Sequence, residues 1–415
     1  MKVGIIGLGY VGLPLAKAFG DAGCEIVGID TDPGKIADLN AGRSYIEDVS
    51  AEALASLVAR ATFTGDYGAL AECDAVIIAV PTPLTPNREP DLGPLVSAAS
   101  QLARVLREGQ LVVLESTTYP GTTRERLVPL LEESGLQAGS DFLVAYSPER
   151  IDPGRTDFTI RNTPKVVGGD GEQATAQAAD LYRLVCDEIV EVSTPEAAEM
   201  TKLLENVFRA VNIALVNELA VISDHMGIDV WEVVEAAATK PYGFMSFRPG
   251  PGLGGHCLPV DPFYLSWKAR EYGVSAEFVE LAGRTNQNMP RICTQRAVEA
   301  LNRAGTATAG ATVAIIGVSY KPGVGDLRES PALSIMEQLR DLGATLVYHD
   351  PHVPQLPAFS LSSEPLESAL EAADLAVIVT AHPEVDHRVV VERSSQVIDF
   401  RGVTRGIEAA NVVRL

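Results

Sequence analysis

The stretch "KVGIIGLGYVG", residues 2–12, decides the architecture. Its aliphatic opening has the length and composition of a buried strand. It runs into Gly7, Gly9 and Gly12, the G-x-G-x-x-G spacing that joins a strand to a helix in dinucleotide-binding units. Gly7 serves the tight turn, Gly9 admits a pyrophosphate, and Gly12 lets the helix pack on the sheet. Tyr10 and Val11, between these glycines, belong to the same cofactor set, and the helix N-terminus faces the phosphates. "EIVGID" follows as a second strand ending on Asp30, where a carboxylate accepts the ribose 2′-hydroxyl. An acid there repels a 2′-phosphate, so the sequence predicts NAD rather than NADP, with Lys35 at the adenosine end. The glycine spacing alone is a weak signal. The strand before it, the helix after it and Asp30 together outweigh a plain glycine turn.

Strand-like runs and helical segments alternate outward from this point. "AVIIAVP" and "QLVVLEST" continue the pattern, and Thr82 and Thr117 sit at the carboxyl ends of such strands, where doubly wound sheets bind ligands. Both join the cofactor set. From about residue 196 the strand signal disappears. "PEAAEMTKLLENVFRAVNIALVNELAVISDHMGI" reads as one long helix opening at Thr194-Pro195 and broken at Gly227, and it offers a surface for a homodimer. After "RAGTATAGA" the alternation restarts with "TVAIIGVSYKPG", "TLVYHDP", "DLAVIVTAHP" and "QVIDFRG". These match the first region segment by segment, without its glycines. The predicted fold is α/β: two Rossmann-like doubly wound domains, 1–195 and 301–415, joined by a central all-helical domain, 196–300.

Composition narrows the partners. The chain has 415 residues and a net charge of −22, which argues against nucleic acid and anionic membrane surfaces. No apolar run approaches ~18 residues. The five cysteines, Cys24, Cys73, Cys186, Cys257 and Cys293, are odd in number and widely spaced, so neither a disulfide framework nor a zinc site is expected. His349 and His352 in "YHDPHV" have no third ligand nearby in sequence, and no metal is expected. The N-terminus runs directly into a strand. A reduced, cytoplasmic setting is predicted.

Two further features suggest chemistry. Cys257 lies in "PGPGLGGHCLPVDPFYL", residues 249–265, among glycines and prolines rather than aliphatic residues. A turn with an incidental thiol and a reactive cysteine both fit that setting. Lys202, Asn206 and Arg209 recur at i, i+4 and i+7 and share a helical face, while Leu204, Val207, Val211 and Ala214 form an apolar stripe on another. A solvated charged face is the ordinary explanation. A set of donors for an anionic or carbonyl oxygen is the other.

"GIIGLGYVGLPLA", "YSPERIDPG", "TKLLENVFRA" and "GGHCLPVDP" occur together in this order. The combination resembles the nucleotide-sugar 6-dehydrogenases, the group of UDP-glucose and UDP-N-acetylhexosamine dehydrogenases, over essentially the whole chain. The resemblance implies oxidation of a sugar C6 alcohol to a carboxylate with two NAD⁺. The aldehyde formed first adds the Cys257 sulfur as a thiohemiacetal, whose oxidation gives a thioester that water cleaves. Lys202 then favours the thiolate and the oxyanion, with Asn206 as second donor. Asp261 positions Lys202 or the water, and Thr117 and Glu149 assist that water.

By the same resemblance Arg328 contacts cofactor, and UDP lies on the third domain near Lys321 and Arg401. Arg150, Ile151, Arg209, Arg248, Gly254 and His256 line the substrate. His256 before the cysteine and "ESTTYPGTT" lean towards UDP-N-acetylglucosamine. The mannosamine enzymes share G-G-H-C, so the C2 epimer stays open. One departure stands out: the family's lysine loop usually carries Thr-Asp-Asp, where this chain has Val324-Gly325-Asp326. Two other classes remain, a single-step 3-hydroxy acid type dehydrogenase and a nucleotide-sugar binding protein without turnover.

Overall fold

The computed structural model describes residues 1–46, 49–85, 87–151, 157–255 and 258–415. The predicted site residues His256 and Cys257 lie outside the described residues. The chain forms two compact units, Met1–Glu205 with Phe263–Ser275, and Asn206–Pro262 with Ala276–Leu415.

Among the described residues the first unit is built on an eight-stranded sheet. Its strands are β1 (Lys2–Ile6), β2 (Glu25–Ile29), β3 (Ala61–Thr64), β4 (Ala75–Ile78), β5 (Leu111–Leu114), β6 (Leu143–Tyr146), β7 (Lys165–Gly169) and β8 (Ile189–Glu191). Their order is β3-β2-β1-β4-β5-β6-β7-β8. The runs are apolar at nearly every position because helices cover both faces. Val3 and Ile5 pack on one side of the sheet and Ile6 on the other. Pairing is parallel, with Val3 beside both Ile26 and Ala75. The exception is β6 with β7, antiparallel with Tyr146 opposite Gly168. The strand order reverses at β1, and the glycine turn sits at that switch point.

The second unit holds a smaller parallel sheet, ordered β10-β9-β13-β14-β15. Its strands are β9 (Thr312–Ile316), β10 (Thr345–His349), β13 (Leu375–Ile378), β14 (Val397–Asp399) and β15 (Val412–Arg414). A hairpin of β11 (Gln355–Leu356) and β12 (Leu361–Ser362) stands beside it. One face packs on Trp231, Met289 and Cys293 from the helical stretch. The other packs on Leu370, Val385 and Val390.

The long helix runs from Pro195 to Met226, as the sequence predicts. Of the apolar stripe, Ala214 is buried, Val207 and Val211 are half-buried and Leu204 is exposed. Leu203, Asn206, Ala210, Ala214, Asn217 and Ala220 turn inward, whereas Leu204 is 64 % exposed. By length and composition alone one window of this helix could cross a membrane, which the sequence reading missed; 33 % of that window is buried against the rest of the chain.

Candidate active site

The cofactor end of the first sheet takes the form the motif requires. Gly7 has φ +94°, and a Cβ there would lie 2.5 Å from the Ala79 carbonyl oxygen. A Cβ on Gly12 would lie 1.8 Å from the Gly7 carbonyl oxygen, so the helix entry depends on bare backbone. Around Gly9 there is no atom within 4 Å of such a Cβ, which leaves the room that a pyrophosphate needs. Asp30 is buried at the end of β2. Its carboxylate accepts the backbone N–H of Leu8 at 3.0 Å and that of Asp32 at 3.0 Å, and Lys35 Nζ stands 3.6 Å away. The Tyr45 hydroxyl donates to the Leu8 carbonyl at 2.6 Å, closing the turn from the other side. Thr82 Oγ1 donates to the Thr117 carbonyl at 2.7 Å, which ties the two predicted threonines together. These groups fit a dinucleotide with an unmodified ribose.

Glu149 sits in a charged cluster that sequence reasoning missed. Lys202, 7 % exposed, donates from Nζ to the Glu149 carbonyl. The Glu149 carboxylate accepts the Ile151 N–H at 2.5 Å and lies 3.8 Å from Lys165 Nζ. Lys165 also contacts Glu115, whose other oxygen accepts from the Tyr182 hydroxyl at 2.9 Å. Burial pushes the Glu115 carboxyl up to about 7 although Lys165 pulls against it. Burial likewise opposes the Lys165 charge, but Glu115 and Glu149 outweigh it and hold the ammonium above its ordinary value. Arg150 donates to the Pro164 carbonyl at 2.6 Å and pairs with Glu205 at 2.7 Å. A charge inside the aliphatic runs "LVVLEST" and "PKVVGG" was the available signal, since an ion there must find a buried partner.

In the second unit Asn206 Nδ2 donates to Asp261 Oδ2 at 2.5 Å. Their exposures are 5 % and 1 %, so this end of the predicted polar row is no solvated face. Arg209, the third member, is exposed. The glycines ahead of Cys257 make room for protein. A Cβ on Gly254 would lie 2.6 Å from Tyr320 Cβ, and one on Gly255, at φ +83°, would lie 2.9 Å from the Tyr320 ring. Gly255 N–H donates to the Arg328 carbonyl at 2.9 Å. Asn217 accepts the Gly250 N–H at 2.9 Å and donates to Asn286 at 3.0 Å, a buried amide chain that anchors the loop and that the sequence did not reveal. In the divergent loop Asp326 takes the Arg328 guanidinium at 2.6 Å, and Lys321 Nζ stands 5.7 Å from the Tyr320 ring centre.

Burial, joined by the neighbouring Arg248, holds the Arg401 guanidinium below its ordinary value, with Asp399 opposing. A buried guanidinium that feels a second one favours an anionic ligand. His352 gains close neighbours the sequence did not suggest, His382 and Glu384, with ligand-type atoms within 4.8 Å. His382 Nδ1 accepts from Gly323 N–H at 3.2 Å, so its Nε2 carries the proton and faces Asp350 at 3.1 Å. A protonated nitrogen is no metal ligand.

Comparison with known proteins accounts for this layout. Three domains of the UDP-glucose/GDP-mannose dehydrogenase family match: the NAD binding domain over residues 1–186, the central domain over 196–288 and the UDP binding domain over 314–406. A UDP-N-acetyl-D-glucosamine 6-dehydrogenase of Pseudomonas aeruginosa is 39 % identical over 85 % of this chain and 83 % of its own. A UDP-N-acetyl-D-mannosamine dehydrogenase of Pyrococcus horikoshii is 35 % identical over 98 % of this chain and 100 % of its own. A solved structure of UDP-D-ManNAc dehydrogenase from that organism superposes with a TM-score of 0.91 at 34 % identity, covering 100 % of this chain and 98 % of that one. A 3-hydroxyisobutyrate dehydrogenase of Mycobacterium tuberculosis shares the fold alone, at 18 % identity and a TM-score of 0.52. The single-step alternative also leaves the UDP binding domain without a role. The chain belongs to the UDP-glucose/GDP-mannose dehydrogenase family and is an NAD-dependent nucleotide-sugar dehydrogenase.

Proposed function

We propose that this enzyme oxidises the C6 alcohol of a UDP-N-acetylhexosamine, UDP-N-acetylglucosamine first among them, to the uronic acid. NAD⁺ supplies the hydride acceptor for each of two oxidations, held by the Gly7–Gly12 turn and Asp30. Cys257 is the nucleophile. An aldehyde has no hydride to give until a nucleophile adds to its carbonyl, and the sulfur makes that addition. Lys202 and Asn206 stabilise the oxyanion that forms. Glu149, Thr117 and Asp261 hold and deprotonate the water that cleaves the thioester. Arg401, Arg248 and Lys321 hold the diphosphate.

The observation that carries this reading is the burial of Lys202, Asn206 and Asp261, at 7, 5 and 1 % exposure. A solvated polar face would leave them open, and buried polar groups need partners or a ligand. The glucosamine substrate rests on the Pseudomonas relative, and the mannosamine epimer is the second reading on the Pyrococcus one. Met200, Leu204, Phe208, Leu215, Leu219 and Ile222, each at least 42 % exposed, support a homodimer formed along the long helix. Among the described residues Cys24, Cys73, Cys186 and Cys293 are free and buried, which suits a reducing cytoplasm.

NADH counted per sugar tests the reaction, with two expected. One would indicate a single-step enzyme and none a binding protein. Initial rates on UDP-N-acetylglucosamine, UDP-N-acetylmannosamine and UDP-glucose test the sugar. Faster turnover of either competitor overturns the glucosamine assignment and leaves the reaction class standing.

A further inference from the structure

We propose that Lys165, anchored by Glu115, is a positioning residue for Glu149 in the oxidation. The proposal rests on the reading of Glu149 as the group that assists the hydrolytic water.

The antiparallel pair β6·β7 provides the geometry. Tyr146 lies opposite Gly168. Extending that register three residues sets Lys165 opposite Glu149, and Ser147 Oγ donates to the Val166 carbonyl at 2.8 Å along the way. Lys165 Nζ therefore meets the Glu149 carboxylate, at 3.8 Å from Oε2. It also contacts Glu115, which follows β5 on the far side of β6, and lies 4.9 Å from the Tyr182 ring centre. Both Glu115 oxygens are committed, one to Lys165 and one to the Tyr182 hydroxyl.

A structural ion pair needs one carboxylate. Here a single buried cation serves two of unequal burial: Glu115 has 0 % side-chain exposure and Glu149 13 %. The deeper carboxylate fixes the cation. The cation in turn fixes the shallower carboxylate, the one with access to a reacting water. The same residue's carbonyl receives Lys202, so its placement bears on two groups assigned to the reaction. Ile151 N–H holds the remaining Glu149 oxygen. A carboxylate set between two fixed donors has little rotational freedom, and loss of one donor releases it.

Removing Lys165 alone would strand Glu115 as an unpaired buried charge. The test therefore pairs Lys165→Met with Glu115→Gln, which removes both charges, and uses Lys165→Gln with Glu115→Gln as a second neutral pair if the first does not fold. The substrate is the UDP-sugar that the wild type turns over fastest. The neutral pair should lower kcat by ~10-fold or more, the order expected for a misplaced catalytic group. KM for NAD⁺ and sugar should stay within about threefold, a split that a general loss of structure would not produce. Glu149→Gln should also be slow, and adding the neutral pair to it should cost nothing further. If the pair keeps kcat within twofold, or its loss multiplies with that of Glu149→Gln, the positioning role is overturned while Glu149 keeps its own. If Glu149→Gln alone turns over at the wild-type rate, the role of Glu149 fails and the positioning role fails with it.

Discussion

Asn206 on the long helix donates its amide to Asp261, the first residue of the helix Asp261–Glu271, across 2.5 Å. Both are buried, and a carboxylate in the first turn of a helix is favoured by the helix dipole. The two partners should respond differently to removal. Asn206→Ala withdraws a donor from a buried charge and should destabilise the protein by about 1–3 kcal/mol in thermal unfolding. Asp261→Asn keeps an amide acceptor in place, so its Tm should stay close to that of the wild type. Its kcat should nevertheless fall by ~10², the order for loss of an acid–base group. A kcat within twofold of wild type would remove Asp261 from the reaction.

Lys202 gives the second test. It lies in the first unit with its ammonium on the Glu149 carbonyl, away from the glycine turn of the cofactor site in sequence. Lys202→Ala should leave the Kd for NAD⁺, titrated by fluorescence, within about twofold. It should lower kcat by at least ~10² through loss of an oxyanion donor. Tolerance of the change would remove Lys202 from the reaction and leave it as a buried structural donor to Glu149.

The strands were legible because a sheet covered on both faces writes itself as short aliphatic runs, and β1, β2, β4 and β5 do so. The glycine turn and Asp30 were legible because few other residues fit those backbone positions. Lys165 and Glu115 were not. Their meeting depends on the antiparallel register of β6 with β7, which no local pattern encodes. The long helix was placed correctly, but the apolar stripe did not mark out its inward face. It carries apolar residues on more than one side, exposed ones such as Leu204 and Leu215 and buried ones such as Leu203 and Ala210, and periodicity alone does not say which are buried. The glycines before Cys257 signalled close approach correctly, but Tyr320 lies against Gly254 and Gly255.

Asp30 predicts cofactor choice. Its oxygens already accept from Leu8 and Asp32, so it is fixed in place and cannot swing aside for a phosphate. Setting a 2′-phosphate against it should cost more than ~1.4 kcal/mol, a preference of at least tenfold for NAD⁺. Equal kcat/KM with NADP⁺ would refute this role.

Glu199 predicts a pH effect on stability. It is fully buried on the long helix and accepts Gly121 N–H at 2.6 Å, Thr123 N–H at 2.9 Å and Thr123 Oγ1 at 2.7 Å. Burial pushes its carboxyl up to about 7 despite those donors, from 4.5 when unfolded. Between these values the folded chain binds more protons than the unfolded one, so this contribution to stability declines as pH rises from about 4.5 to about 7. Glu199→Gln removes the titration and costs an acceptor at every pH. Denaturant unfolding should find the wild type losing on the order of 1–3 kcal/mol more than the variant between pH 5 and pH 8. Glu115 shifts the same way in both proteins and cancels in the comparison. Parallel pH curves would rule the effect out.

Cys257→Ser isolates the second oxidation. Serine is nearly isosteric, so the fold and both binding sites should persist. Its hydroxyl has no accessible anion at neutral pH and is a far weaker nucleophile than a thiol. Oxidation of the alcohol needs only a base and NAD⁺ and should survive in part. Oxidation of the aldehyde needs the adduct and should fail, or stall on an ester that water cleaves more slowly than a thioester. Rapid-quench measurement on the variant should then find at most about one NADH per active site and little free uronate, against the two NADH per sugar expected of the wild type. Steady release of uronate at near the wild-type rate would make Cys257 an incidental thiol in a glycine turn. The covalent route would then give way to direct oxidation of the hydrated aldehyde.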